Sequence, residues 1–176
     1  MDVITNTSME RYRDVLDTML TRGVFGRSDD EKPVCAVLCG KTFEVGEKVT
    51  LLLKPEIEVI HFINSFEDAK DNLGELLAGR GPKQSCKSNH IGSHNYSQLP
   101  RAVIFGRAFA EGEVNELNRL YRSTSSVPVA WIAGEESIVP PPQPGPGYAE
   151  AGAENVKRAF ERWREAGAKS DVIVYY

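Results

Sequence analysis

Residues Val34–Cys39 read Val-Cys-Ala-Val-Leu-Cys, apolar without alternation, and run straight into Gly40–Lys41–Thr42. A strand with no polar face has to be covered on both sides, and the simplest fold that does this is a parallel sheet clothed by crossover helices. A buried strand ending in glycine and a basic residue commonly opens a ligand-binding α/β domain. The familiar phosphate cradles nevertheless fail here. A P-loop needs a glycine five positions ahead of its Gly-Lys-Thr, and that position is Cys35, inside the strand, so no loop of backbone amides can form. A dinucleotide fingerprint needs three closely spaced glycines, and Gly40 is followed only by Gly46.

The rest of the chain alternates strand and helix. Ser8 is a good N-cap for a helix over 9–22, with Tyr12, Val15, Leu16, Met19 and Leu20 on one face and Gly23 as its stop. Strands are expected at Val34–Cys39, Val59–Ile63, Ala102–Phe105, Val127–Ile132 and Asp171–Tyr175. Between them fall helices at Phe43–Leu53, ended by Lys54–Pro55, and at Phe66–Leu77, Glu111–Tyr121 and Tyr148–Ala166. Right-handed crossovers then give an α/β fold, a single-domain three-layer sandwich. Its five-stranded parallel sheet is flavodoxin- or Rossmann-like, of order 2-1-3-4-5, with an extra N-terminal helix. The apolar stripe of that helix has to be buried on the sheet edge or on a second copy, so a homodimer is expected.

Composition excludes several classes of partner. Twenty-one Lys and Arg against 25 Asp and Glu leave a net charge of −4, with the basic residues scattered, which argues against nucleic acid. The longest apolar runs are a fraction of the ~20 residues of a spanning helix and the N-terminus is polar, so no membrane is implied and a cytoplasmic protein is expected. Cys35 and Cys39 fit small core residues better than a disulfide.

In such sheets ligands sit at the carboxyl ends of the strands, near the point where strand order reverses. The rule selects Gly40, Lys41 and Thr42 after the first strand, Asn64 and Ser65 after the second, and Gly106 and Arg107 after the third. Gly134 and Glu135 follow the fourth strand, and Tyr175 and Tyr176 end the fifth; Trp131 in the fourth strand joins the substrate-contact set. Arg107 is the strongest candidate. A guanidinium beside a glycine can hold a carboxylate or carbonyl oxygen, the alternative being a salt bridge to a neighbouring glutamate.

Two irregular segments flank this scaffold. Residues 79–100, rich in Ser, Asn, Gly, Gln and His, are long for a connection and would have to wrap around a sheet edge to reach the cleft. The segment 139–147, with five prolines, should be stiff and polyproline-like, either walling the cleft or acting as a spacer. Cys86, His90 and His94 are spaced by four but lack a fourth ligand and a helix to carry them, so no metal is expected. His61 sits mid-strand, where a core role competes with that of a base. Acidic residues of a receiver domain, the Ser/Thr loop of a flavodoxin and the G-x-S-x-G elbow of a hydrolase are all missing from their places.

The segments Cys39–Gly40, Lys54–Pro55–Glu56, Gly92–Ser93–His94–Asn95–Tyr96, Ala102–Arg107 and Pro144–Gly147–Tyr148 resemble small Rossmann-like proteins of fungal natural-product gene clusters. The resemblance spans most of the chain and extends to intramolecular Diels–Alderases of terpenoid pathways. It implies a cofactor-free [4+2] cyclisation of a small terpenoid polyene. In that reading Arg107, Lys41, His94 or Tyr96 donates a hydrogen bond to a substrate carbonyl, and Gly40, Thr42, Asn64, Ser65, Gly106, Trp131 and Tyr175 contact the substrate. A non-catalytic metabolite- or nucleotide-binding module, and a small isomerase or dehydratase with His61 or His94 as base, are the alternatives.

Overall fold

The computed structural model describes residues 32–83, 90–169 and 171–176. The expected N-terminal helix over 9–22, with the dimer contact assigned to it, and Cys86 lie outside these residues. The elements run β1 Val34–Cys39, α1 Phe43–Leu52, β2 Ile57–Ile63, α2 Phe66–Leu77, β3 Ala102–Phe105, α3 Glu111–Tyr121, β4 Ala130–Ala133, α4 Tyr148–Glu165 and β5 Ile173–Tyr175. All five strands pair in parallel, in the order β2-β1-β3-β4-β5. No described helix is long and apolar enough to cross a membrane.

Period-two alternation divides the sheet into two faces. On one face Ala36, Leu38, Ala102, Ile104, Ala130 and Ile132 pack with Val49 and Leu53 at α1 and with Ala153, Val156, Phe160 and Trp163 of α4. On the other, Cys35, Val37, Cys39, Val103, Phe105 and Trp131 pack with Leu73, Leu76 and Leu77 of α2 and Val114 and Leu117 of α3. Full burial on both faces is what the non-alternating β1 sequence demands.

Three strands differ from expectation at their ends. β2 begins at Ile57, two residues early, because the Val34 N–H reaches the Glu56 carbonyl at 2.8 Å and draws the chain into register. β4 begins at Ala130 instead of residue 127: Pro128 has no N–H to give, and the Val129 N–H donates to the Asp171 carboxylate at 2.8 Å. The same carboxylate accepts the Ser123 N–H at 2.7 Å, which occupies Asp171 in a loop clamp and shortens β5 to Ile173–Tyr175. Helices α1 and α4 each end one residue before the expected position.

Candidate active-site cleft

Strand order reverses between β2 and β3 on either side of β1, so the connections after β1 and β3 leave in opposite directions and open a crevice between them. A cleft of about 350 Å³ lies there, on the α1/α4 face. Leu38 and Ile104 form its floor, Val45 and Val49 of α1 and Val156 of α4 its sides, and Pro140, Pro141, Pro142 and Pro144 wall it. The proline-rich segment therefore takes the walling role. Its fixed φ angles keep that wall in place without the ordering cost of a flexible loop.

Phe62, fully buried at the end of β2, completes the floor, and two glycines make room for its ring. A Cβ on Gly46 would stand 2.5 Å from the Phe62 ring, and one on Gly40 at 3.3 Å. Phe43 tilts against the same ring with centroids 5.6 Å apart. The glycine after β1 thus serves aromatic packing beneath the cleft, a purpose different from a phosphate cradle.

Arg107 lines the cleft together with Gly106 and Lys41. Its Nη2 donates to the Tyr176 main-chain oxygen at 3.0 Å, and its guanidinium lies over the Tyr176 ring, 4.7 Å from the centroid. Nη1 is buried against Gly134, where a Cβ would come within 3.2 Å, and has no hydrogen-bond partner among the described residues. No Asp or Glu among the described residues pairs with Arg107, so the glutamate salt bridge that competed with a binding role is not what holds it. Tyr176 donates its hydroxyl to the Phe105 carbonyl at 3.0 Å, and burial pushes its pKa up to about 12. It stays a neutral phenol that positions the guanidinium.

Lys41 stands on the rim, 3.4 Å from the Glu113 carboxylate and over the Phe109 ring at 5.3 Å. Thr42 takes the N-cap position of α1 in extended backbone without a side-chain cap bond, which leaves first-turn N–H groups without a side-chain acceptor. Tyr148, Gly152 and Asn155 of α4 complete the lining. Strand-end reasoning missed these three, because helix residues lie outside its scope; the i, i+4, i+7 spacing on one helix was their only local signal. Cys39 also borders the cleft, and burial pushes its thiol far above the ordinary range, so it is no thiolate nucleophile.

The remaining sequence candidates are placed elsewhere. Trp131 is fully buried on the opposite face, stacked on Phe105 with centroids 6.0 Å apart. Ser65 caps α2 by accepting the Asp68 N–H at 3.1 Å, and neither it nor Asn64 lines the cleft. Tyr175 alternates to the α2/α3 face, where its hydroxyl donates to Glu111 at 3.3 Å. His94 and Tyr96 join His61 at the free edge of β2. There the Ser93 and His94 N–H groups donate to the Val59 and Ile60 carbonyls, so the described part of loop 79–100 covers the edge strand.

A bulge at Ile60 sets His61 in register with Val37, on the α2/α3 face. The His61 Nδ1 and the Tyr96 hydroxyl are 2.9 Å apart, the His94 ring centroid is 5.8 Å away, and Nε2 is buried without a hydrogen-bond partner among the described residues. Burial first, and then the neighbouring His94, push the His61 pKa down to about 4. The catalytic set expected from sequence is thereby divided: Arg107 and Lys41 enter the cleft, and His94 and Tyr96 do not. Among the described residues no group of three metal-ligating side chains comes together. His90 instead pairs with Glu47 at 2.7 Å.

Comparison with known proteins places a fungal relative beside this chain. The chain is similar to "Kojic acid related protein 6" of Aspergillus oryzae, 29% identical over 139 residues that cover 78% of this chain and 82% of that protein. No family model matches the chain, and no solved structure does. The relative supports the fungal side of the resemblance and carries no link to Diels–Alder chemistry.

Proposed function

We propose that this chain is a cofactor-independent cyclase of fungal secondary metabolism, which folds a terpenoid polyene in the β1/β3 cleft for intramolecular [4+2] cyclisation. The observation that carries this reading is the make-up of the cleft. Among the described residues its lining is apolar on most sides, includes no Asp, Glu or His, and presents hydrogen-bond donors from Arg107, Lys41 and Tyr148. Such a cleft has no base to move a proton and no activated nucleophile. It can hold a flexible chain folded, and pre-organisation of that kind lowers the barrier of a pericyclic step by removing conformational freedom in advance. A guanidinium on a carbonyl conjugated with the reacting alkene draws electron density from it and stabilises the transition state. A base-dependent isomerase or dehydratase would have to run at the β2 edge, where the His61 Nδ1 is already engaged with Tyr96.

The relative's name, which refers to kojic acid, supports a place in fungal natural-product metabolism. The guanidinium of Arg107, which no described Asp or Glu neutralises, also fits a second reading, a non-catalytic module that binds an oxygenated metabolite in this cleft. One experiment separates the two. The purified chain is incubated with linear polyenes bearing a terminal conjugated aldehyde or acid, in buffer without added cofactor, and products are resolved by chiral chromatography. A cyclase returns a single enantiomer faster than the uncatalysed background. A binding module returns starting material, and titration with kojic acid then shows saturable heat that Arg107→Ala removes.

A further inference from the structure

A glycine in a helix interior is destabilising relative to alanine, so each one calls for a local reason. Gly46 in α1 has one, because a Cβ there would stand 2.5 Å from the Phe62 ring. Gly74 in α2 has another, with Tyr121 at 2.8 Å. Gly152, one turn into α4, has no such neighbour among the described residues: a Cβ would meet none of their atoms within 4 Å, and the residue borders the cleft. The space in front of it is cleft space. Tyr148 and Asn155 lie four residues before and three after Gly152, on the same side of the helix, and both line the cleft. Neither the Tyr148 hydroxyl nor the Asn155 amide makes a hydrogen bond among the described residues, and Tyr148 interacts with Tyr176 only electrostatically.

We propose that Gly152 is a specificity-determining residue: it keeps open a seat on α4, between the Tyr148 hydroxyl and the Asn155 amide, for a flat apolar ring or polyene segment that carries an oxygen function. The inference rests on the cleft reading above. The bare Cα lets the ligand lie directly on the helix backbone. The phenol and the amide on either side then supply a donor and a donor–acceptor at hydrogen-bonding height, whereas Arg107 acts from the strand side of the same cleft. A larger side chain at 152 would occupy the seat with no cost to packing.

Gly112 supplies the control. It is equally open, with nothing within 4 Å of its Cβ position, but it lies in the first turn of α3 and lines no part of the cleft. Binding of 8-anilinonaphthalene-1-sulfonate is followed by fluorescence for the wild-type chain, Gly152→Leu, Gly112→Leu and Arg107→Ala, with thermal melts to confirm that each is folded. The expected result is saturable binding to wild type and Gly112→Leu, weakened roughly ten- to a hundred-fold in Gly152→Leu, as filling a ring-sized contact implies. Displacement of the probe by 2-naphthol should be several-fold stronger than by 2-methylnaphthalene. That gap should close in a Tyr148→Phe, Asn155→Leu double variant.

Unchanged binding in Gly152→Leu together with weakened binding in Arg107→Ala overturns the seat and leaves the cleft reading standing. Binding that neither substitution affects, or no saturable binding to wild type, overturns both. Equal displacement by the two naphthalenes overturns the polar half of the proposal.

Discussion

The two faces of this sheet use similar residues to opposite ends. On the α2/α3 face aromatic rings close over the strands: Trp131 stacks on Phe105, Phe105 meets Phe109 edge-on at 5.6 Å, and His61 is tied to Tyr96. On the α1/α4 face Phe160 and Trp163 of α4 also pack on the sheet, but at the carboxyl ends of the strands the rings leave space above them. Phe62 lies under Gly40 and Gly46, Tyr176 under Arg107, and a cleft remains above them. Polar groups divide by burial. The filled face ties down the His61 Nδ1 and the Tyr175 hydroxyl but buries the His61 Nε2 and the Trp131 Nε1 with no hydrogen bond among the described residues, whereas on the open face the Tyr148 hydroxyl and the Asn155 amide border the cleft and make none. Internally satisfied polar groups make a structure specific, and convergent unpartnered ones in a concave apolar site are the mark of a binding surface.

Trp131→Ala gives the largest expected effect. Removing a fully buried ring on the filled face should lower stability by about 3–5 kcal/mol in denaturant unfolding. Ligand affinity per folded molecule should stay unchanged. A specific loss of affinity without a loss of stability would return Trp131 to the cleft and erase the contrast between the faces.

Titration of His61 is the next effect in size. Its folded pKa of about 4 lies below the ordinary 6.5, so the unfolded chain takes up the proton first as pH falls. The contribution of neutral His61 is therefore fully present above pH 6.5 and is lost between 6.5 and about 4, amounting to roughly 3 kcal/mol. Equilibrium unfolding across that window should show the fall in wild type and a flatter profile in His61→Gln. Equal slopes would mean that the β2-edge cluster is solvated and free for chemistry.

Arg107→Ala should leave the melting transition near that of wild type, since no described Asp or Glu is left unpaired by the change. It should lower affinity or kcat/KM by roughly ten- to a hundred-fold, the equivalent of ~1.5–3 kcal/mol for a charge-assisted hydrogen bond. Collapse of the fold would make Arg107 a structural clamp on Tyr176 and move the binding role to α4.

The smallest effect is a gain. Gly112→Ala and Gly152→Ala each replace a helical glycine where a methyl group meets nothing, and each should raise stability by about 0.5–1 kcal/mol. Failure of Gly152→Ala to stabilise would show the helix backbone there to be strained by something other than its sequence.

Much of the architecture was legible because its signals are local. The apolar runs Val34–Cys39 and Ala102–Phe105 and the periodic stretches Phe66–Leu77 and Glu111–Tyr121 appear at their expected bounds, and their alternation leads to the observed strand order. The strand-end rule likewise brought Gly40, Lys41, Thr42, Gly106 and Arg107 to the cleft. Tertiary structure alone decided what faces that cleft. Alternation sends Tyr176 to one face and Tyr175 to the other, and a single bulged residue, Ile60, puts His61 in line with Val37. The edge position of β2 draws His94 and Tyr96 away with the covering loop, and α4, eighteen residues of ordinary amphipathic helix, crosses the strand ends at the height of Tyr148 and Asn155. Helix and strand formation depend on residues a few positions apart. A binding surface depends on register and on the path of a distant helix, which no short window of sequence contains.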